Sequence, residues 1–174
     1  VSNGGKHSLS NIFATILDPE DEVVVLAPFW LSYPEIITLY EGKPVIVGAS
    51  IYDDFQPNID DIRSAINKNT KAIIINSPNN PSGVHYSEEW MKSFAKLMLE
   101  FPDLIIVSDE IYFELSYFDP KPTYFYQYDE SLLERTIIVD GVSKNMALTG
   151  LRVGFCIGPK SVVSAMSRLQ GQTA

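Results

Sequence analysis

The sequence predicts an α/β domain, a mainly parallel sheet with helices on both faces, and two observations carry that prediction. Six short apolar or β-branched runs, at 23–26, 45–47, 72–75, 104–107, 136–139 and 153–157, read as largely buried strands. Helical periodicity separates several of them. That alternation favours a parallel sheet, because two parallel neighbours need a long crossover between them and a helix supplies it.

In order along the chain, Leu9, Ile12, Phe13, Ile16 and Leu17 recur at helical spacing, so a helix is expected over about 6–17. Gly4-Gly5 opens it and Asp18-Pro19 ends it. Ile59, Ile62 and Ile66 mark a shorter helix before the third strand. From 87 to 101, Ser87 can cap, Glu88 and Glu89 suit the positive end of the dipole, and Trp90, Phe94, Leu97, Met98 and Phe101 form one apolar stripe. Residues 118–134, rich in Tyr, Pro and Asp, read as a long surface excursion, and 160–174 as an amphipathic helix.

A chain of 174 residues with 45% hydrophobic content is long enough for one well-buried core, and one domain is expected. The net charge of −9, with Lys and Arg dispersed, repels both a nucleic-acid backbone and an anionic membrane, so neither is an expected partner. No apolar run approaches the ~20 residues of a membrane helix. Cys156 is the sole cysteine, so no intrachain disulfide can form, and no arginine-flanked apolar leader opens the sequence. A cytoplasmic setting is the expectation. Val1 is not a start methionine, and the last helix lacks a Gly or Pro terminator, which suggests an excised domain.

The chemistry sits at two strand ends. Lys144 follows the fifth run, while Asp109, Glu110 and Tyr112 follow the fourth, and in a parallel sheet both ends face the edge where α/β proteins bind ligands. An amine can form a Schiff base with an aldehyde, a carboxylate can keep a pyridine ring protonated, and a phenol can hydrogen-bond a cofactor hydroxyl. Together they point to a carbonyl-bearing pyridine cofactor. A P-loop ATPase, with Asp109 as the metal-side acid and Gly5-Lys6 as the phosphate loop, fails on spacing. G-x-x-x-x-G-K-[ST] requires a hydroxyl residue where His7 stands. His7 and His85 are isolated; His85 is expected to be exposed, and no metal site is expected.

Taken in order, Gly4-Gly5-Lys6, the run from Pro28 through Trp30 to Pro34, Asn76-Ser77-Pro78-Asn79-Asn80-Pro81-Ser82-Gly83, Asp109-Glu110-Ile111-Tyr112 and Ser143-Lys144 through Arg152 resemble class I aminotransferases. The likeness is to the aspartate and aromatic branch of the fold type I pyridoxal-phosphate enzymes. It implies that 1–174 is their cofactor-binding large domain, without the N-terminal arm and C-terminal small domain. By this resemblance Lys144 holds pyridoxal 5'-phosphate covalently and later moves the proton at the substrate α-carbon. Asp109 pairs with the ring nitrogen, Tyr112 and Asn80 meet the phenolic oxygen, and Trp30 stacks on the ring. Gly4, Gly5 and Lys6 form the phosphate turn, with Arg152 bridging to the same phosphate. Many relatives carry a serine three positions before the lysine; here that position is Gly141, and Ser143 adjoins the lysine instead. Glu110 is assigned to structure.

The implied activity is exchange of an amino group between an L-amino acid, aspartate-like or aromatic, and a 2-oxo acid by a ping-pong route, in a homodimer. Competing readings are a β-eliminating C–S lyase or aminocyclopropane-carboxylate synthase on the same scaffold, and a cofactor-sensing domain of a transcriptional regulator.

Overall fold

The computed structural model describes residues 1–173. Ala174, the last residue of the predicted C-terminal helix, lies outside them. Strands β1 (Glu22–Leu26), β2 (Lys43–Val47), β3 (Thr70–Asn76), β4 (Ile105–Asp109), β5 (Thr136–Gly141) and β6 (Gly154–Ile157) form one sheet in the order β2-β1-β3-β4-β5-β6. The first five are parallel, and β6 runs antiparallel to β5. The helices are α1 (Gly5–Ile16), α2 (Ser32–Leu39), α3 (Ile59–Ala65), α4 (Glu88–Leu99), α5 (Val142–Asn145) and α6 (Lys160–Thr173).

Side chains alternate across each strand, so the β-branched runs serve two cores at once. Val24, Leu26, Ile73, Ile75 and Ile106 meet α3 and α4 on one face. On the other, Val23, Val25, Ala72, Ile74 and Val107 meet α1, α2 and Met166 of α6. The α4 stripe is buried as its spacing predicts, with Phe94, Leu97 and Met98 all inaccessible. Each such side chain contributes about 1.5–3 kcal/mol by leaving water. Ser87 caps this helix by accepting from the Trp90 N–H at 3.2 Å, and Arg135 donates to the Met98 carbonyl at 2.6 Å near its other end.

Three expectations need correction. Residues 118–134 are not simply a surface excursion: Phe118 and Leu133 are exposed, but Tyr124, Phe125 and Leu132 are buried in the α4-side core. Phe125 meets Phe94 edge to face, 5.2 Å between centroids. This stretch folds as short 3₁₀ turns, too brief to display a period. Second, β2 is an edge strand with Ile46 exposed rather than a largely buried one. Third, Ile157 of β6 is exposed. The consequence for function lies at the carboxyl ends of β3 and β4, where the register sets Asn76 opposite Asp109.

Candidate functional site

A cleft of about 240 Å³ opens at that edge. Eight of the nine residues given a role in the site line it: Lys144, Asp109 and Tyr112; Asn80 and Trp30; Gly5, Lys6 and Arg152; Gly4 does not. The eight come from the carboxyl ends of four strands, β1, β3, β4 and β5, with the segments that follow them, and from the start of α1, so only the fold brings them together.

Asp109 ends β4 and is 5% exposed. Burial pushes its carboxyl up to about 6, although hydrogen bonds from the Tyr33 hydroxyl and the Ile111 N–H pull the other way. The Tyr33 bond, from Oη to Oδ2, is 2.6 Å long. Tyr33 itself is buried in the first turn of α2, and burial beside that carboxylate raises its own pKa well above the usual range. At neutral pH the site therefore holds an under-solvated anion, which favours a neighbouring cation. Below it, Asn76 Nδ2 donates to the Asp109 carbonyl at 2.8 Å, and Asn76 Oδ1 accepts from the Asn80 N–H at 2.8 Å.

Tyr112 and Asn80 form a pair: Asn80 Nδ2 donates to the Tyr112 hydroxyl at 3.3 Å. Lys144 lies in α5, with Nζ 5.8 Å from the centre of the Tyr112 ring. It is exposed toward the cleft rather than engaged in an ion pair. Trp30 meets Tyr33 edge-on at 5.5 Å, and Lys6 Nζ sits 4.9 Å from the Trp30 ring centre.

The fourth wall is cationic. At the start of α1 the first i→i−4 bond is the one from Ser8 to the Gly4 carbonyl, so the Gly5 and Lys6 N–H groups precede the helical ladder and are available to an anion. Ser2 and Gly154 exchange two backbone bonds, of 2.7 and 3.0 Å, that pin this turn to β6. The approach is so close that a Cβ on Gly154 would collide with the Gly4 and Gly5 backbone. Gly4, at φ +90, packs beneath Arg152, whose Nη2 donates to the Asn3 carbonyl at 3.3 Å. Ser143 also lines the cleft, whereas Gly141 does not. A free amine, a buried acid, a donor pair and a cationic cup are what a phosphorylated pyridine aldehyde requires, and the residues present fit pyridoxal phosphate.

A family model described as aminotransferase class I and II matches residues 1–174. The chain belongs to that family. It is 43% identical to the aspartate aminotransferase of Bacillus subtilis over 169 residues, 97% of this chain and 43% of the relative. Identity is also 43% with a probable aspartate/prephenate aminotransferase of Thermus aquaticus, over 99% of this chain and 44% of that one. Among solved structures, the Thermus thermophilus aspartate aminotransferase with maleate matches with a TM-score of 0.91 at 41% identity, covering 98% of this chain and 44% of that one. The Rhizobium meliloti aspartate aminotransferase matches with a TM-score of 0.94 at 34% identity, over 98% and 43%. The fold is thus that of fold type I aminotransferases. The chain spans less than half the length of these relatives.

Within this class I and II aminotransferase scaffold, Tyr33 and Asn76 are the site residues that sequence reasoning missed. Asn76 opens the quoted 76–83 run and Tyr33 sits inside the quoted 28–34 run, but the reach of each to Asp109 depends on the fold, through the end of β3 and the start of α2. Glu110 does not line the cleft. It accepts from Ser108 Oγ at 2.8 Å and from the Tyr126 hydroxyl at 3.0 and 3.1 Å, and burial pushes it up to about 7. His85 is half-buried rather than exposed, flanked by the rings of Phe118 and Tyr124 at 6.2 and 5.9 Å. Burial lowers its pKa. His7 Nδ1 accepts locally from the Asn3 N–H at 3.1 Å. No described helix is long and apolar enough to cross a membrane.

Proposed function

We propose that residues 1–174 are the cofactor-binding large domain of a pyridoxal-phosphate-dependent aminotransferase that exchanges an amino group between an L-amino acid and a 2-oxo acid. The observation that carries this is the shared cleft: Lys144, Asp109 and the Asn80–Tyr112 pair converge on one space beside a cationic cup. When bound, pyridoxal phosphate supplies an aldehyde that retains the amino group between two half-reactions and a ring that takes up the α-carbon's electrons.

The chain's own residues do the rest. Asp109 keeps a negative charge, poorly solvated, against the ring nitrogen and so favours the protonated ring. Lys144, lying beside Tyr112, is the amine we assign to covalent attachment and to proton transfer at the α-carbon. Asn80 and Tyr112 donate to the phenolic oxygen, and Trp30 offers a flat apolar wall. Gly5, Lys6 and Arg152 bind the phosphate dianion. Roles for all eight belong to this reading.

Aspartate is the first substrate to test, because the relatives cited are aspartate or aspartate/prephenate aminotransferases. An aromatic amino acid is the second. Homodimerisation and a cytoplasmic setting are part of the same proposal, and the substrate carboxylate is expected to be gripped outside this domain. The test is single-turnover conversion of aspartate, glutamate and tyrosine by the full-length protein and by this chain alone, with pyridoxal phosphate added. The full-length protein should form the matching 2-oxo acid, and this chain should do so far more slowly, since orientation contributes ~7–11 kcal/mol in favourable cases. Ammonia release without amino transfer would contradict the proposal.

A further inference from the structure

We infer that Asn76 is a positioning residue that locks Asp109 and Asn80 at one separation, so that both can meet a single rigid ring. This rests on the cofactor reading above. In that reading the ring nitrogen and the phenolic oxygen belong to one inflexible aromatic system, and the groups that contact them must be held to within about half an ångström. Yet Asp109 ends a strand, whereas Asn80 lies four residues past the end of β3, in a loop outside the sheet.

The Asn76 side chain joins the two. It is 4% exposed and stands directly across the β3–β4 ladder from Asp109. Its Nδ2 donates to the Asp109 carbonyl and its Oδ1 accepts from the Asn80 N–H, both at 2.8 Å. One planar amide thus fixes the strand-end backbone and the returning loop. No other residue type of this size does both: aspartate lacks the donor, leucine lacks both groups, and serine reaches one side at most. The loop has other braces, one internal, with Asn79 Oδ1 accepting from Ser82, and one to the segment after β1, with Asn79 Nδ2 donating to the Pro28 carbonyl at 3.0 Å. Those braces shape the turn but do not tie it to Asp109. Asn76 lines the cleft, but both ends of its amide are taken by Asp109 and Asn80, so it acts through these two neighbours.

The experiment is a double-mutant cycle in the full-length protein, Asn76→Ala against Asn80→Ala, read by two quantities besides turnover. The first is the dissociation constant for pyridoxal phosphate. The second is the pH midpoint at which the absorbance of the bound cofactor changes, which reports the proton on the Lys144 nitrogen. Donors at the phenolic oxygen hold its negative charge; when Asn80 drifts away, that charge is less stabilised and the neighbouring nitrogen keeps its proton to higher pH. Asn76→Ala should therefore raise the midpoint. It should also weaken cofactor binding on the order of tenfold, the scale on which residues supporting a ligand shell act at metal sites. In the Asn80→Ala background the midpoint should move little further, because the neighbour through which Asn76 reaches the phenolic oxygen is gone.

Should Asn76→Ala not fold, Asn76→Ser, which keeps one of the two bonds, should move the midpoint in the same direction by less. A lowered melting temperature with an unchanged midpoint, or midpoint shifts that add fully in the double variant, overturns the inference and leaves Asn76 a structural residue. If the unsubstituted protein gives no cofactor absorbance to titrate, the cofactor reading itself fails and the inference falls with it.

Discussion

Replacing Asp109 by Asn should stabilise the cofactor-free chain while damaging the enzyme. Burial pushes the Asp109 carboxyl from an ordinary 3.8 to about 6, so the folded state binds its proton more tightly than the unfolded chain does. Raised above its unfolded value, this acid costs the fold stability above pH 6 and costs nothing below pH 3.8. At pH 8 the full cost is about 3 kcal/mol, from 1.36 kcal/mol per pH unit of difference. Asparagine removes it and keeps the shape. Its amide oxygen can still accept the Tyr33 hydroxyl, but the weaker bond from the Ile111 N–H, 3.3 Å long, is lost. A bond of that kind is worth about 1 kcal/mol, which leaves a net gain of about 2 kcal/mol.

Urea unfolding of the cofactor-free Asp109→Asn and parent chains at pH 8 and pH 4 measures this. The variant should be more stable at pH 8, and the advantage should disappear by pH 4. Equal or lower stability at pH 8 would refute the claim that Asp109 is held ionised at a cost. In the full-length protein the same change should slow turnover by about 10²–10³, the usual loss on removing a preorganised electrostatic contact. Stability and activity moving in opposite directions is the expected signature of a site strained for function.

Three further outcomes are expected. Tyr33→Phe removes the 2.6 Å bond to Asp109 and should raise the Asp109 midpoint above 6 by about 1–2 pH units, since hydrogen bonds to charged groups are worth about 1.5–3 kcal/mol; carbon-13 titration of the carboxyl reads it, and an unmoved midpoint argues against the role. Glu110→Gln should stabilise the chain by up to about 3 kcal/mol at pH 8 and not at pH 4, because Glu110 is raised to about 7 from an ordinary 4.5; unfolding at the two pH values tests it, and a loss at pH 8 would contradict it. Phe125→Ala should cost about 3–5 kcal/mol in urea unfolding, as for a core phenylalanine, and a loss below 1 kcal/mol would restore the surface reading of residues 118–134.

The parts of this fold that announced themselves are those where one periodicity runs long enough to be seen. The α4 stripe, the β-branched strands and the paired strand ends carrying Asp109 and Lys144 are of that kind. Residues 118–134 hid their core contribution because Tyr124, Phe125 and Leu132 reach inward from 3₁₀ turns with no repeat. Tyr33 and Asn76 were hidden for a different reason. Their partners are 76 and 33 residues away, respectively, in sequence, and only the strand order brings them to Asp109. His85 belongs with these: its burial comes from Phe118 and Tyr124, members of the segment whose packing left no pattern.

The central claim is that Lys144 is the amine that takes the cofactor. Two other cations in the cleft, Lys6 and Arg152, are assigned to the phosphate, and Lys6 in particular is a primary amine equally open to an aldehyde. Incubation of the protein with pyridoxal phosphate, reduction with borohydride and mapping of the labelled peptide separates them. The account predicts one stable cofactor adduct, on Lys144, lost in Lys144→Ala. A label on Lys6 with none on Lys144 would contradict it.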